Sequence, residues 1–300
     1  MTQAQKKWSL LPLLQWSTDY LQEKGVPGNR LLVERLLAHV LQLSRVELYL
    51  RFDRPLSAEE LATYKQLFKR ILEHEPLQYV LGETEFMSLM FSVGTGVLIP
   101  RPETELLVET ALAAGKVLAA HQDRIDVLDV GTGSGCIAIS LAAYLDRAQL
   151  TAMDVSLEAL QWTRKNVERH QLAQRIDIVQ HDLLQAPPPP WQRKFDILVA
   201  NPPYVRAQEY DLLAPEIRLY EPREALWAGD DGLIYYQRLA LWAKEILKEQ
   251  GQFFVEIGDG MAEAVLSLFR ARGFHDITLQ RDLADKERLV HTITRGEAHE

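Results

Sequence analysis

Ile125-Asp126-Val127-Leu128-Asp129-Val130-Gly131-Thr132-Gly133-Ser134-Gly135-Cys136-Ile137-Ala138-Ile139 is the stretch that decides the fold. An apolar, β-branched run of strand length enters a glycine-rich turn and then an amphipathic helix, the first unit of a doubly wound α/β sheet. Glycines in such a turn let a ligand approach the backbone closely. The dinucleotide fingerprint wants its third glycine three positions after the second, where this chain has Cys136, so a nicotinamide or flavin cofactor is disfavoured. The nucleotide-triphosphate loop fails too, because no Lys-Ser or Lys-Thr pair follows the glycines. Asp129 places polarity at the strand end, either for an ammonium group or to tether the loop.

Downstream, Gln149–Met153 reads as a second strand ending at Asp154, where such sheets set an acid on ribose hydroxyls. Ile176–Gln180 reads as a third, ending near Asp182, where a short polar side chain can meet an adenine amino group. Each acid alone is equally well a helix cap. Three carboxylates at the carboxyl ends of three successive strands point to the crevice where open α/β sheets bind ligands. A fourth buried strand, Phe195–Ala200, runs into Asn201-Pro202-Pro203-Tyr204. Each proline fixes φ, lacks an N–H and forces its predecessor to be extended, so the chain leaves the sheet in one stiff shape. That shape offers the Asn201 side-chain oxygen and the Pro202 carbonyl as acceptors beside the Tyr204 ring, a setting that suits a planar NH2 group. Taken alone, the tetrapeptide is also simply a Pro-rich turn.

Upstream, Trp8 to about Glu75 has helical periodicity and almost no strand signal. Leu10, Leu13, Leu14 and Leu21 share one face, and Leu31, Leu32, Leu36, Leu37, Val40 and Leu41 form another stripe. Pro27-Gly28-Asn29 separates two helices, and Ser57 with Glu60 forms a capping box for another. The expectation is a small bundle, either a packing module or a holder for a partner protein. Phe86–Val93 alternates as a hairpin does. Leu98-Ile99-Pro100-Arg101-Pro102-Glu103-Thr104-Glu105 leads into a helix to about Leu118, with Pro102 at an early helical position and Glu103 and Glu105 complementing the helix dipole; that structural account is sufficient, and a reach of Arg101 to a neighbouring site is the lesser alternative. Pro187–Pro190 reads as a stiff connector. Beyond it the pattern gives a helix over Leu233–Leu247, a strand over Gln252–Ile257, a helix over Met261–Arg270, and a final strand pair over Phe274–Leu279 and Leu289–Thr294.

A net charge of −9, from 33 basic and 42 acidic residues, argues against general nucleic-acid binding. The single cysteine excludes an intrachain disulfide. With no signal-peptide pattern and no apolar run long enough for a bilayer, the expected setting is cytoplasmic, with no membrane association.

The glycine loop from Asp129 to Gly135, the acids Asp154 and Asp182, and Asn201-Pro202-Pro203-Tyr204 resemble class I S-adenosylmethionine-dependent methyltransferases that act on an amide or exocyclic amine. Joined to the helical bundle, the 98–105 segment and Arg281–Arg288, they closely resemble the bacterial release factor glutamine methyltransferase family (PrmC/HemK), from about Leu31 to about Thr294. The resemblance implies a Rossmann-like seven-stranded sheet with its last strand antiparallel. It divides the chain into an N-terminal bundle at 1–80 that docks substrate, a hairpin linker at 81–100 and a methyltransferase domain at 101–300. It implies S-adenosyl-L-methionine held by Gly131, Thr132, Gly133, Ser134, Gly135, Asp154, Asp182, Leu183 and Asn201. Catalysis falls to Asn201, Pro202 and Tyr204, which bind substrate together with Pro203. Glu221-Pro222 and Glu256-Ile257-Gly258 match family positions near the site. No metal is expected. The implied partner is a class I peptide-chain release factor methylated at its Gly-Gly-Gln glutamine by a monomeric enzyme. The alternative is an adenine-specific N6-type nucleic-acid methyltransferase, which would use the same four residues on a flipped base but needs a basic recognition region that is not obvious here.

Overall fold

The computed structural model describes residues 8–26 and 30–294, so the expected break at Pro27-Gly28-Asn29 lies outside the described residues. The chain forms two units, Met1–Gly82 together with Ala214–Tyr220, and Glu83–Leu213 together with Glu221–Glu300.

The first unit is helical: α1 (Leu10–Glu23), α2 (Arg30–Leu41), α3 (Arg45–Leu50), α4 (Ala58–Leu72) and α5 (Leu77–Leu81). Leu10, Leu13, Leu14 and Leu21 of α1 are buried against Leu36 and Leu37 of α2 and Tyr64, Phe68 and Ile71 of α4. Capping boxes Ser44/Glu47 and Ser57/Glu60 start α3 and α4. The expected α2 stripe is out of phase at one position: Leu31 is 42% exposed, while Val33 and Glu34 point inward. Glu34 disguises the inward face because its buried carboxylate accepts from Arg30, Arg45 and the Tyr49 hydroxyl, a satisfied charge that hydrophobic periodicity cannot register. The segment 214–220 joins this unit, and Tyr220 Oη donates to the Glu73 carbonyl at 2.6 Å.

The second unit opens with a hairpin, β1 (Glu83–Phe86) and β2 (Leu89–Ser92). Its two-residue turn holds Met87 and Ser88 at positive φ, matching the twist of the strands. A 3-10 turn at Pro102–Thr104 leads into α6 (Glu105–Ala119). There follow β3 (Ile125–Val130), α7 (Cys136–Tyr144), β4 (Ala148–Asp154), α8 (Leu157–Arg169), β5 (Ile176–Gln180), β6 (Phe195–Ala200), the short α9 (Ala207–Tyr210), then α10 (Pro215–Tyr220), which belongs to the first unit, and α11 (Ile234–Ile246), β7 (Leu247–Glu256), α12 (Ala262–Ala271), β8 (Ile277–Arg281) and β9 (Glu287–Ile293).

The seven strands lie in the order β5-β4-β3-β6-β7-β9-β8, parallel from β5 to β7, with β9 antiparallel to both its neighbours. Alternate residues of the central strands feed the two faces. Val127, Ile197, Val199 and Phe254 pack under α6 and α7, whereas Leu128, Leu198, Phe253 and Val255 pack under α11 and α12. One expectation is corrected here. The helix after the glycine turn is not amphipathic: in α7 every residue from Cys136 to Ala142 is buried, because it is covered by the sheet on one side and by α6 and α8 on the others. Strand order reverses between β3 and β6, where Val130 pairs with Ala200. Gly131 and Asn201 therefore leave adjacent strands side by side.

Candidate active site

At that reversal lies a cavity open to solvent. Gly131, Thr132, Gly133 and Ser134 line one wall, Asp154 and Val155 the next, Asp182 and Leu183 the far end, and Asn201, Pro202 and Pro203 the opposite rim.

The glycine loop is held from behind. Met153 O accepts the Gly131 and Thr132 N–H groups at 2.8 and 2.9 Å. Asp154 accepts the Gly133 N–H on one oxygen and the Ser156 N–H on the other, both at 2.9 Å. From α8, Thr163 donates to Gly133 O and Asn166 to Ser134 O. Gly133 sits at φ +57, and a Cβ there would have Val97 Cγ2 3.8 Å away, so a longer side chain would fill the concave face. Gly135 does not line the cavity. At φ +82 it seats α7, and a Cβ there would lie 3.0 Å from Ile139 Cδ1 and 3.1 Å from Thr163 Cγ2. Asp129 resolves as the tether: fully buried, it accepts from the Thr132 hydroxyl at 2.6 Å and the Ala138 N–H at 3.1 Å. Burial pushes its carboxyl up to about 7 against the pull of those two bonds. Cys136 closes the loop, and burial pushes its thiol up to about 12.

These walls fit a nucleoside-bearing ligand. A backbone cradle without side chains suits a close approach. Asp154 is an acceptor whose pKa is raised mainly by burial. Asp182 uses one oxygen on the Leu184 N–H, leaving the other as an acceptor beside apolar Leu183 and the Tyr235 ring.

At the rim, Asn201 Nδ2 donates to Thr104 Oγ1 at 3.0 Å, and Thr104 Oγ1 donates to Glu256 Oε2 at 2.6 Å. With its nitrogen engaged, the Asn201 amide has its oxygen left to accept from a ligand. Tyr204 does not line the cavity. Its ring packs against Gly258, where a Cβ would lie 2.9 Å from Tyr204 Cδ2, and burial pushes its phenol up to about 12, so it stays neutral. Glu221, expected near the site, is buried and clamps the segment before α6: it accepts the Ile99 N–H at 3.2 Å and pairs with Arg101 at 2.6 Å. Gly96, Val97, His181 and Tyr235 also line the cavity, as do Leu98, Pro100, Arg101 and Thr104 of the 98–105 segment. The first four carry no motif, and only the topology brings them there. Among the described residues, no group of His, Cys, Asp or Glu is placed to hold a metal ion.

A sheet of this order with its ligand crevice at the β3/β6 reversal is the fold of a class I, S-adenosylmethionine-dependent methyltransferase. The comparisons are narrower. Residues 12–82 match the PrmC N-terminal domain model and residues 104–249 the methyltransferase small domain. A release factor glutamine methyltransferase from Geobacter sulfurreducens is 42% identical over 97% of this chain and 98% of its own length. One from Chlorobaculum tepidum is 42% identical over 93% of this chain and 95% of its own. The catalytic domain of human Mettl16, solved with a MAT2A 3′UTR hairpin, is similar in fold, with TM-score 0.52 and 17% identity over 82% of this chain and 86% of that one. The chain belongs to the release factor glutamine methyltransferase family.

Proposed function

We propose that this protein transfers a methyl group from S-adenosyl-L-methionine to the side-chain nitrogen of the glutamine in the Gly-Gly-Gln motif of class I peptide-chain release factors. The observation that carries the reading is the orientation of Asn201, whose amide nitrogen is tied back to Thr104 while its oxygen is left for a substrate N–H.

Bound S-adenosylmethionine supplies an electrophilic methyl group on a sulfonium. The rest is the work of this chain. An amide nitrogen is a poor nucleophile because its lone pair is delocalised, and no side-chain base at neutral pH removes its proton beforehand. Asn201 Oδ1 and the Pro202 carbonyl each accept one substrate N–H, which turns the nitrogen toward tetrahedral geometry and frees its lone pair. Pro203, backed by Tyr204, holds the planar amide by packing. The proton leaves after transfer, when the nitrogen has become strongly acidic. Gly131, Thr132, Gly133 and Ser134 cradle the methyl donor, with Gly135 fixing the loop from behind, and Asp154, Asp182 and Leu183 hold its ribose and base.

We assign residues 1–80 to docking the release factor, 81–100 to a linker and 101–300 to methyl transfer. We also read the protein as a cytoplasmic monomer that forms no stable complex with nucleic acid. The test is transfer of a labelled methyl group offered release factor, tRNA and duplex DNA in parallel, with the mass of the Gly-Gly-Gln peptide read afterwards. One added methyl on that glutamine is expected. Labelling of adenine in nucleic acid instead would replace this reading with the adenine methyltransferase. Removing 1–80 should lower transfer to whole release factor far more than to a short glutamine peptide.

A further inference from the structure

We propose that Thr104 and Glu256 are positioning residues that decide which end of the Asn201 amide faces the substrate. The inference rests on the amide-methylating function above and adds two residues to it. Both side chains are 2% exposed. Thr104 comes from the 3-10 turn before α6, Glu256 ends β7, and Asn201 follows β6, whose Ala200 pairs with Val255.

A hydroxyl has one proton to donate. An ionised carboxylate can only accept, so the Thr104 proton goes to Glu256 and only a lone pair faces Asn201. Asn201 must then answer with Nδ2, and its oxygen faces the cavity. If the Thr104 proton turned the other way, it would bond Asn201 Oδ1. The amide would flip and present N–H donors to the donors of a substrate NH2 group. Glu256 thus sets the polarity of a three-member chain from two residues away from the reacting atom.

The surroundings make that polarity titratable. Facing Glu256 are Arg101 and Glu103 from the turn, Arg288 from β9, the phenols of Tyr204 and Tyr236, and the Cys136 thiol of α7. Arg101 is paired with Glu221 and Arg288 with Asp282. The phenols and the thiol are all pushed up and neutral, and Tyr236 Oη donates to the Glu256 backbone carbonyl at 3.1 Å. Burial therefore dominates and raises the Glu256 carboxyl to about 7. A protonated Glu256 can donate to Thr104 and reverse the chain. The productive orientation belongs to the ionised form and is lost as pH falls.

The experiment is single-turnover methyl transfer to release factor between about pH 6 and pH 9. The wild-type rate should rise with pH to a plateau. Glu256→Gln, which admits either polarity, and Thr104→Val should each be slower by about 10–100-fold and lose that rise. Thr104→Ser, which keeps the hydroxyl, should stay within about threefold, and cofactor affinity should move by less than about twofold in all three. A second measurement needs no turnover. The side-chain amide resonances of Asn201, identified by their loss in Asn201→Asp, should titrate with pH in the wild type and not in Glu256→Gln. If the wild type fails to methylate release factor, the function falls while this titration still judges the relay. The relay is overturned if Glu256→Gln keeps the wild-type rate and profile, or if the Asn201 amide titrates identically without the carboxyl.

Discussion

The two ends of the same three strands treat buried charge in opposite ways. At the amino ends of β3, β6 and β7, two cations offset Asp126 and Asp196: Lys248 Nζ lies 2.8 Å from Asp196 and 3.4 Å from Asp126, Arg124 pairs with Asp126 at 2.7 Å, and Asp196 also accepts the Asp126 N–H. At the carboxyl ends stand Asp129, Asn201 and Glu256, held by hydroxyls and backbone N–H groups, with no cation paired to either acid among the described residues. Burial lifts both carboxyls to about 7. The closed end is built for stability. Carboxyls left unneutralised at a ligand crevice mark the end where polarity does something else.

The largest effect should come from the open end. Asn201→Ala should lower kcat by about 10²–10³ while release factor still binds, because one of two proposed acceptors is gone. Asn201→Asp should also be slow, although its added charge attracts a sulfonium. Single-turnover rates set against binding affinities decide it, and near-native chemistry in either variant would make the tetrapeptide merely a stiff turn. Next, Gly133→Val and Asp154→Ala should weaken binding of S-adenosylmethionine by about 10–100-fold in calorimetry, through a filled cradle and through unpaired hydroxyls respectively. Unchanged affinity in both would remove the donor from this crevice.

Stability against pH sharpens the contrast further. The ordinary values of Asp129 and Glu256 are 3.8 and 4.5, and in the fold both are raised to about 7. The folded state therefore holds more protons across that window. Their contribution is greatest below the unfolded values and falls as pH rises toward about 7, the reverse of a salt-bridged acid. Urea midpoints at about pH 5 and pH 8 should show a decline that Asp129→Asn and Glu256→Gln each reduce. An identical decline in all three proteins would mean that neither acid is responsible. The smallest effect belongs to the closed end. Lys248→Met should lose only about 1 kcal/mol in urea unfolding, since the lysine is 38% exposed, and leave transfer rates alone. A slowed chemical step there would erase the distinction between the ends.

Features set by local chemistry were legible from sequence. The glycine turn, the acids after β4 and β5, and the prolines after β6 each announce themselves within a few residues. The seven-stranded sheet and its antiparallel last strand follow from the family those motifs resemble. Pairings across long separations were not legible. Thr104 lies in a motif that sequence reading explains completely as a helix start, yet its hydroxyl reaches a carboxylate 152 residues away. Gly135 and Tyr204 look like cavity residues by adjacency, but Gly135 seats α7 and the Tyr204 ring packs against Gly258. A stripe read from apolar residues alone takes in Leu31 and passes over Glu34, whose satisfied carboxylate is buried, and the grouping of 214–220 with the bundle leaves no local mark at all.

The position of Cys136 has a kinetic consequence. It is the chain's one cysteine, buried at the junction of the glycine loop and α7, with almost none of its thiol ionised at pH 8. Cys136 also lines the cavity, so an alkylating reagent that enters the crevice meets it there, slowly because so little of it is thiolate. Its labelling rate, read by mass on the unmodified protein, then reports how accessible the crevice is, and a bound methyl donor should slow that rate in proportion to its occupancy.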